Sequence, residues 1–407
     1  MAVANKNLLG VDLPFWEALN AAPAASAAGV SIDGDGIRYV YCLFSQTAFW
    51  RFCSWTNTWQ QLASPPAGTL GTGTAIRYVV DFGGQSNGVV YGSVWALISN
   101  GVAAPTFQVY DIATNAWTAK VVTNLPATFG TDAALVCPEP NSNGYTGAYH
   151  AGVITTVTAG ATAAISATAI TVVALPFALP AGAVLNFGTL AAPVYAVLTA
   201  AAAAAAISIT VAPLVAAVNS GAVAYYYDHF YLVGNNGTVM YRYSISGNAW
   251  ALTSANSGTP ALVAVTAAVG AGCAIRFLPA VDPNALFIFR GTATATVYKY
   301  SLLTNTIAAV VFQPVTETFT AGTVYAVRAD AQGRALKVLI QKDATSRIFE
   351  FNPVTLRLDP ASTQWLLPQG AAVVGDKMTI MKTPDGIEFL YFLLNTSANF
   401  VRSPMLP

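Results

Sequence analysis

Tyr110-Asp111-Ile112-Ala113-Thr114-Asn115-Ala116-Trp117 reads as an aromatic ending one strand, a polar turn, and a Trp opening the next strand. Phe52-Cys53-Ser54-Trp55-Thr56-Asn57-Thr58-Trp59 has the same layout, as does Tyr243-Ser244-Ile245-Ser246-Gly247-Asn248-Ala249-Trp250. Tyr300 to Ile307 follows it, with Asn305 in the turn and Ile in the Trp place, and Phe351 to Leu358 is a degenerate fifth copy. Asn tolerates left-handed backbone and its side chain bonds nearby backbone groups, so Thr-Asn-x suits a hairpin turn. The flanking aromatics suit a pleated, half-buried surface.

The closing positions 59, 117, 250, 307 and 358 are 58, 133, 57 and 51 residues apart. Repetition near 50 residues indicates a propeller or solenoid, one supersecondary unit per repeat. Short strands, Gly-rich turns and almost no amphipathic helical stretch make the chain all-β. In the second unit Thr74–Val80 is an inner strand, Val94–Ile98 and Thr106–Tyr110 follow, and the strand opened by Trp117 is outermost.

Trp16-Glu17-Ala18-Leu19-Asn20 matches Trp59-Gln60-Gln61-Leu62-Ala63, an outer strand. The N-terminus therefore supplies an outer strand, and Ala372–Met381, Ile387–Leu394 and Asn399–Pro404 are three strands that lack a fourth. Joining them closes a ring and removes the edges that would pair with other chains. The expectation is six blades, with seven as the alternative. They run Ala27–Pro65, Thr72–Leu125, Thr131–Ser254, Ala264–Phe312, Thr320–Leu366, and Ala371–Pro404 joined to Val11–Ala21.

The third blade is interrupted. Its inner strand is Ala133–Cys137 and its second strand begins only at His229. Ile170–Val184 aligns without gaps on Ile209–Val223, an offset of 39, each copy being an Ile-Thr-Val strand, a Pro-containing turn, then Gly. The chain thus divides into a propeller over 1–150 and 226–407 and an inserted two-repeat β module over 151–225; blade loops accept insertions because the scaffold holds their ends together. Leu198–Val218 is apolar, but Pro213, Ser208 and Thr210 within it argue against a membrane-spanning helix. The Ala200–Ala206 run suits a short helix by propensity.

Charged residues are 9% of 407 and the formal net charge is zero, against about 25% in ordinary domains. Such a chain has no electrostatic footprint for nucleic acid, and it is poorly protected against association. Packing within an assembly or a bias toward Ala accounts for it equally. Met1–Trp16 shows no basic region followed by an apolar run, so no secretory signal is expected. Cys42, Cys53, Cys137 and Cys273 have no zinc spacing; Cys42 and Cys53 lie on neighbouring strands, and buried free thiols are the favoured reading.

The aromatic-x-x-x-Thr-Asn-x-Trp unit resembles the kelch repeat of β-propellers over about 330 residues. It lacks the paired glycines expected after a blade's second strand; Gly83-Gly84 follows an inner strand. The resemblance implies a binding scaffold. The copper oxidases among such propellers use a Tyr–Cys cross-link and two His, whereas His150 and His229 here carry no mark of ligation. Ser244–Trp250 is superficially similar to the sialidase Asp-box but lacks its Asp. Thr171–Leu185 resembles small β modules of tailed-bacteriophage structural proteins, which implies a virion component assembled in the host cytoplasm.

Arg77 and Arg276 fall in inner strands and are candidate channel or ligand contacts; Arg38 recurs in a similar setting. The structural reading is an Arg laid along a pleated face or paired with a blade carboxylate. Asp33, Asp35, Asp81, Asp282, Asp330 and Asp385 fall where inner strands turn, and turn chemistry explains them without a calcium site. No catalytic motif, cofactor or metal site emerges. Trp16, Trp59, Trp117, Trp250, Asn57, Asn115, Asn248 and Asn305 carry the structural repeat. The expected function is a non-enzymatic structural or attachment protein of a phage virion, on head or tail. Its partners are other virion proteins in multiple copies, with no nucleic acid and no membrane. The alternative is a propeller that binds host glycan, with Trp50, Trp95 and Tyr225–Tyr227 as stacking residues; a glycan-active enzyme ranks third.

Overall fold

The computed structural model describes residues 16–80, 92–130, 132–137, 156–175, 179, 184–187, 194–225, 229–244, 248–251, 262–278, 280–282, 285–301, 306–310, 312, 318–329, 335–341, 347–360, 374, 376–382, 387–395 and 398–405. Asn305, Gly83, Gly84, Asp81, Asp330, Asp385, His150, Tyr226 and Tyr227 lie outside them.

Six four-stranded antiparallel sheets form the ring, each running inner to outer in chain order except the last. Blade one is Ser31–Gly34, Tyr39–Ser45, Ala48–Cys53 and Thr58–Gln61. Blade two is Ala75–Val80, Gly92–Ile98, Thr106–Asp111 and Ala116–Lys120. Blade three takes Ala133–Val136 directly against His229–Gly234, then Tyr241–Ser244 and Ala249–Ala251. Blades four and five begin at Ala274 and Val324. Blade six is Lys377–Lys382, Glu388–Leu393 and Phe400–Pro404, and Glu17–Ala18 is its outer strand. Glu17 pairs with Arg402 across that closure, where the guanidinium donates to the carboxylate at 2.6 Å.

The period-2 alternation of each strand loads both faces of a blade, so the core lies between blades. In blade two Trp95 and Phe107 pack toward blade three, while Tyr78, Val94 and Tyr110 pack toward blade one. One apolar cluster fills each of the six interfaces, the last joining Tyr391 and Phe400 of blade six to Val40 and Phe52 of blade one. Closure after six interfaces settles the count at six rather than seven.

The inserted segment forms a barrel with a core of its own. Thr156–Thr158 pairs with Val223–Tyr225, Val184–Asn186 with Tyr195–Val197, and Ala169–Thr171 with Ser208–Thr210. The bridges Asn186–Tyr225, Ala159–Val172 and Leu198–Val211 join these pairs into a closed six-stranded ring. The 39-residue offset is an approximate two-fold axis. Ile170 sits opposite its own equivalent Ile209. Ala163 pairs with Val218 while its equivalent Ala202 pairs with Leu179, the equivalent of Val218. The two half-units therefore exchange strands, and neither closes a core alone.

Two expectations are corrected. Ala200–Ala206 is not helical: Ala202 sits in the barrel bridge and Ala205 has φ +62°. Seven residues cannot repay helix nucleation when ladder pairing competes. Asp33 lies within an inner strand rather than at a turn. No helix among the described residues is long and apolar enough to cross a membrane.

Leu356 occupies the Asn position of the degenerate fifth copy, at φ +54°. A branched side chain in left-handed backbone is strained. Leu356→Asn is expected to stabilise the protein by roughly 0.5–1 kcal/mol, read by urea unfolding; an unchanged or lower midpoint would show that the Leu side chain compensates.

Candidate functional site

Asn57, Asn115, Asn248, Trp59 and Trp117 of the repeat are rivets between blades. Asn57, Asn115 and Asn248 have φ of 53°, 51° and 45°. That conformation turns each carboxamide oxygen toward the preceding blade, where it accepts the backbone N–H just past the outer strand. The donors are Asn20 at 2.9 Å, Ala63 at 2.9 Å and Val121 at 3.2 Å respectively. Tyr110 and Tyr243 donate their hydroxyls to Asn115 and Asn248 at 2.7 Å. Trp59 Nε1 donates to Asn20 O at 3.0 Å and Trp117 Nε1 to Ala63 O at 2.7 Å. Asn20 and Ala63 are equivalent in the Trp16/Trp59 alignment, so the first strand does for blade six what blade one does for itself. Trp16 packs edge-on against Phe392, and Trp250 is fully buried between blades two and three.

Inner strands bring Arg77, Arg276 and Asp33 to the axis. Asp33 Oδ2 accepts Arg77 Nη1 at 3.1 Å and Tyr78 N–H at 2.8 Å, which ties blade one to blade two. Arg276 donates to the carbonyls of Ile275 at 2.8 Å and Tyr325 at 3.2 Å and lies 5.7 Å from the Tyr325 ring. Burial, together with the nearby Arg77 charge, pushes Arg276 down to about 10, and Asp33 opposes this. Both arginines thus make contacts across blade interfaces. Arg38 sits apart, stacked over Tyr39 and Trp55.

Above them a cavity of about 120 Å³ opens on the axis. Ser31, Thr74, Asp132, Cys273, Thr323 and Lys377, one from each blade, contribute to its lining. Asp132 accepts Gly272 N–H at 2.6 Å and Asp376 accepts Asn395 N–H at 2.6 Å. Burial holds Lys377 below its ordinary range, against the pull of Asp132 and Asp376. Its position, one residue into the sixth inner strand, was not legible before the strand register was known. The cavity is small beside ligand clefts of roughly 300–1,000 Å³, and no metal-holding cluster occurs among the described residues.

Of the aromatic stacking set, Trp95 and Trp50 are the members whose side chains are described. Trp95 is 6% exposed and packs on Phe107 and Phe230, because its strand position faces the next blade. Trp50 is half-buried against the blade six–one core. His229 opens a strand opposite Ser244. No disulfide joins the four cysteines, and the register sets Cys42 opposite Trp50 and Cys53 opposite Tyr39. Asp35 caps its turn by accepting the N–H groups of Ile37, Arg38 and Tyr39.

The barrel presents the most unusual surface. Between Glu139 and Asp228 there is no Asp, Glu, Lys or Arg. Ile165 and Val215 are 64% and 80% exposed and adjoin, since Ser166 N–H donates to Leu214 O. Val173 and Ile207, 58% and 67% exposed, adjoin farther along the same ribbon, where Val172 N–H donates to Ile207 O. The signal was open to a simple count of charges along the chain.

No family model matches the chain, and no curated protein matches its sequence. Among solved structures, an auxiliary nutrient binding protein from Bacteroides thetaiotaomicron is similar over 93% of this chain and 69% of its own, at 8% identity and TM-score 0.46. YjhT is similar over 95% of both chains, at 10% identity and TM-score 0.46. A variant of AofleA from Arthrobotrys oligospora is similar over 96% of this chain and 85% of its own, at 9% identity and TM-score 0.43. At such values these likenesses assign no activity; the architecture rests on the chain's own six sheets.

Proposed function

We propose that this chain is a non-enzymatic attachment protein, a closed propeller that displays the inserted barrel as its docking element in a multi-copy assembly. The observation that carries the reading is the barrel itself, a closed, charge-free unit with exposed Ile and Val, set between the first two strands of blade three. Exposed apolar surface of this kind marks protein–protein contact, and a surface without charges gives up no ionic hydration when buried. The resemblance of Thr171–Leu185 to phage structural modules makes a tailed-bacteriophage virion, assembled in the host cytoplasm, the assembly of choice. Other virion proteins are then the partners, with no nucleic acid, membrane or cofactor required. The glycan-binding alternative is less well supported, since Trp95 is buried and the axial cavity is small.

The test replaces residues 140–227 with a short Gly-Ser linker and sediments purified particles. Val136 already faces Tyr231 across the blade, so the propeller is expected to fold. The shortened chain is expected to be lost from the particle fraction. Its retention at the wild-type level would remove the barrel from the attachment role.

A further inference from the structure

We infer that the exposed ribbon of the barrel is a self-association surface whose partner is the same ribbon of a second copy of this chain. The inference rests on the attachment reading above and names one partner for it.

The ribbon consists of the segments around Ala169–Thr171 and Ser208–Thr210, which pair antiparallel about the approximate two-fold axis. Its outward side carries Ile165 and Val215 toward one end and Val173 and Ile207 beyond the centre, with Ala169, Thr171, Ser208 and Thr210 exposed between them. Charge decides the partner. A charged partner surface would lose hydration on this face and find no counter-charge across 88 consecutive residues. The matching surface must be neutral and of mixed apolar and hydroxyl character. The ribbon is itself such a surface, and a two-fold contact requires one patch to complement itself.

The intact chain is followed by sedimentation equilibrium over a wide concentration range, at low and high salt. Wild type is expected to dimerise, with affinity unchanged or tighter in high salt, because no ion pair is screened. The Ile165→Asp/Val215→Asp and Val173→Asp/Ile207→Asp variants change only exposed side chains. Each is expected to weaken dimerisation by about tenfold or more while the circular dichroism spectrum stays that of wild type. A chain that remains monomeric throughout overturns self-association yet leaves barrel-dependent attachment to other proteins standing. Dimers that dissolve in high salt, or that persist unchanged in both folded variants, also overturn it. Retention of the chain lacking residues 140–227 on particles, with dimerisation of the intact chain observed, would instead count against the attachment reading.

Discussion

Gly272→Ala is expected to destabilise the protein by roughly 3–4 kcal/mol, a large part of the 5–15 kcal/mol of a typical fold. Gly272 has φ +76°, a region that costs an L-residue about 1–2 kcal/mol. A Cβ there would also lie 1.9 Å from Thr320 O, in the turn before the next inner strand. That oxygen belongs to the backbone, so a blade must move. The same residue's N–H is held by Asp132 and its carbonyl accepts the Tyr325 hydroxyl at 2.6 Å, which blocks escape on either side. Gly221→Ala is the control, with φ +78° and nothing within 4 Å of the added atom; it should lose only about 1 kcal/mol. Urea unfolding of both reads the difference. Equal losses would show that blade-to-blade contact at the axis adds nothing to the conformational cost.

Asn115→Ala is expected to lose roughly 2–4 kcal/mol. The substitution removes the acceptor shared by the Tyr110 hydroxyl and the Ala63 N–H. It also leaves a Cβ-bearing residue without a local hydrogen bond at φ 51°. Asn115→Gly relieves the backbone but not the lost acceptor, so it should recover about 1 kcal/mol. Asn115→Asp keeps the acceptor and should stay closer to wild type. A double-mutant cycle with Tyr110→Phe isolates the hydroxyl contact, expected at about 1 kcal/mol. A coupling near zero would show that the Tyr110 hydroxyl adds nothing to the role of Asn115.

Asn57, Asn115, Asn248, Trp59 and Trp117 were legible because the repeat is written in local chemistry. A left-handed turn residue favours Asn, and the aromatic before it and the Trp after it are fixed by the same hairpin. The Trp16/Trp59 match extended this to ring closure, and the shared acceptor role of Asn20 and Ala63 is its structural counterpart. The direction in which the Asn side chain points was not legible, since its partner lies 52 residues away for Asn115.

The candidate site divides in the same way. Arg77 and Arg276 were traceable to inner strands, and their contacts with Asp33 and Tyr325 followed only once neighbouring blades were set side by side. Trp95 was misplaced outside because alternation along a strand tells which residues share a face, whereas in a propeller both faces are buried. Ala200–Ala206 was misread because propensity is local and its ladder partner, Leu179, is not.

By itself, then, the order of residues determined the repeating hairpin, the recurrent strand groups, the closing strand and the 39-residue duplication. Each depends on neighbours within one turn or one strand, where propensity and period act directly. Only tertiary structure decided that the duplicated halves exchange strands into one barrel and that six polar residues meet at the axis. It also decided which exposed apolar residues adjoin. These depend on contacts between segments far apart in the chain, whose energies of burial and pairing no local pattern records.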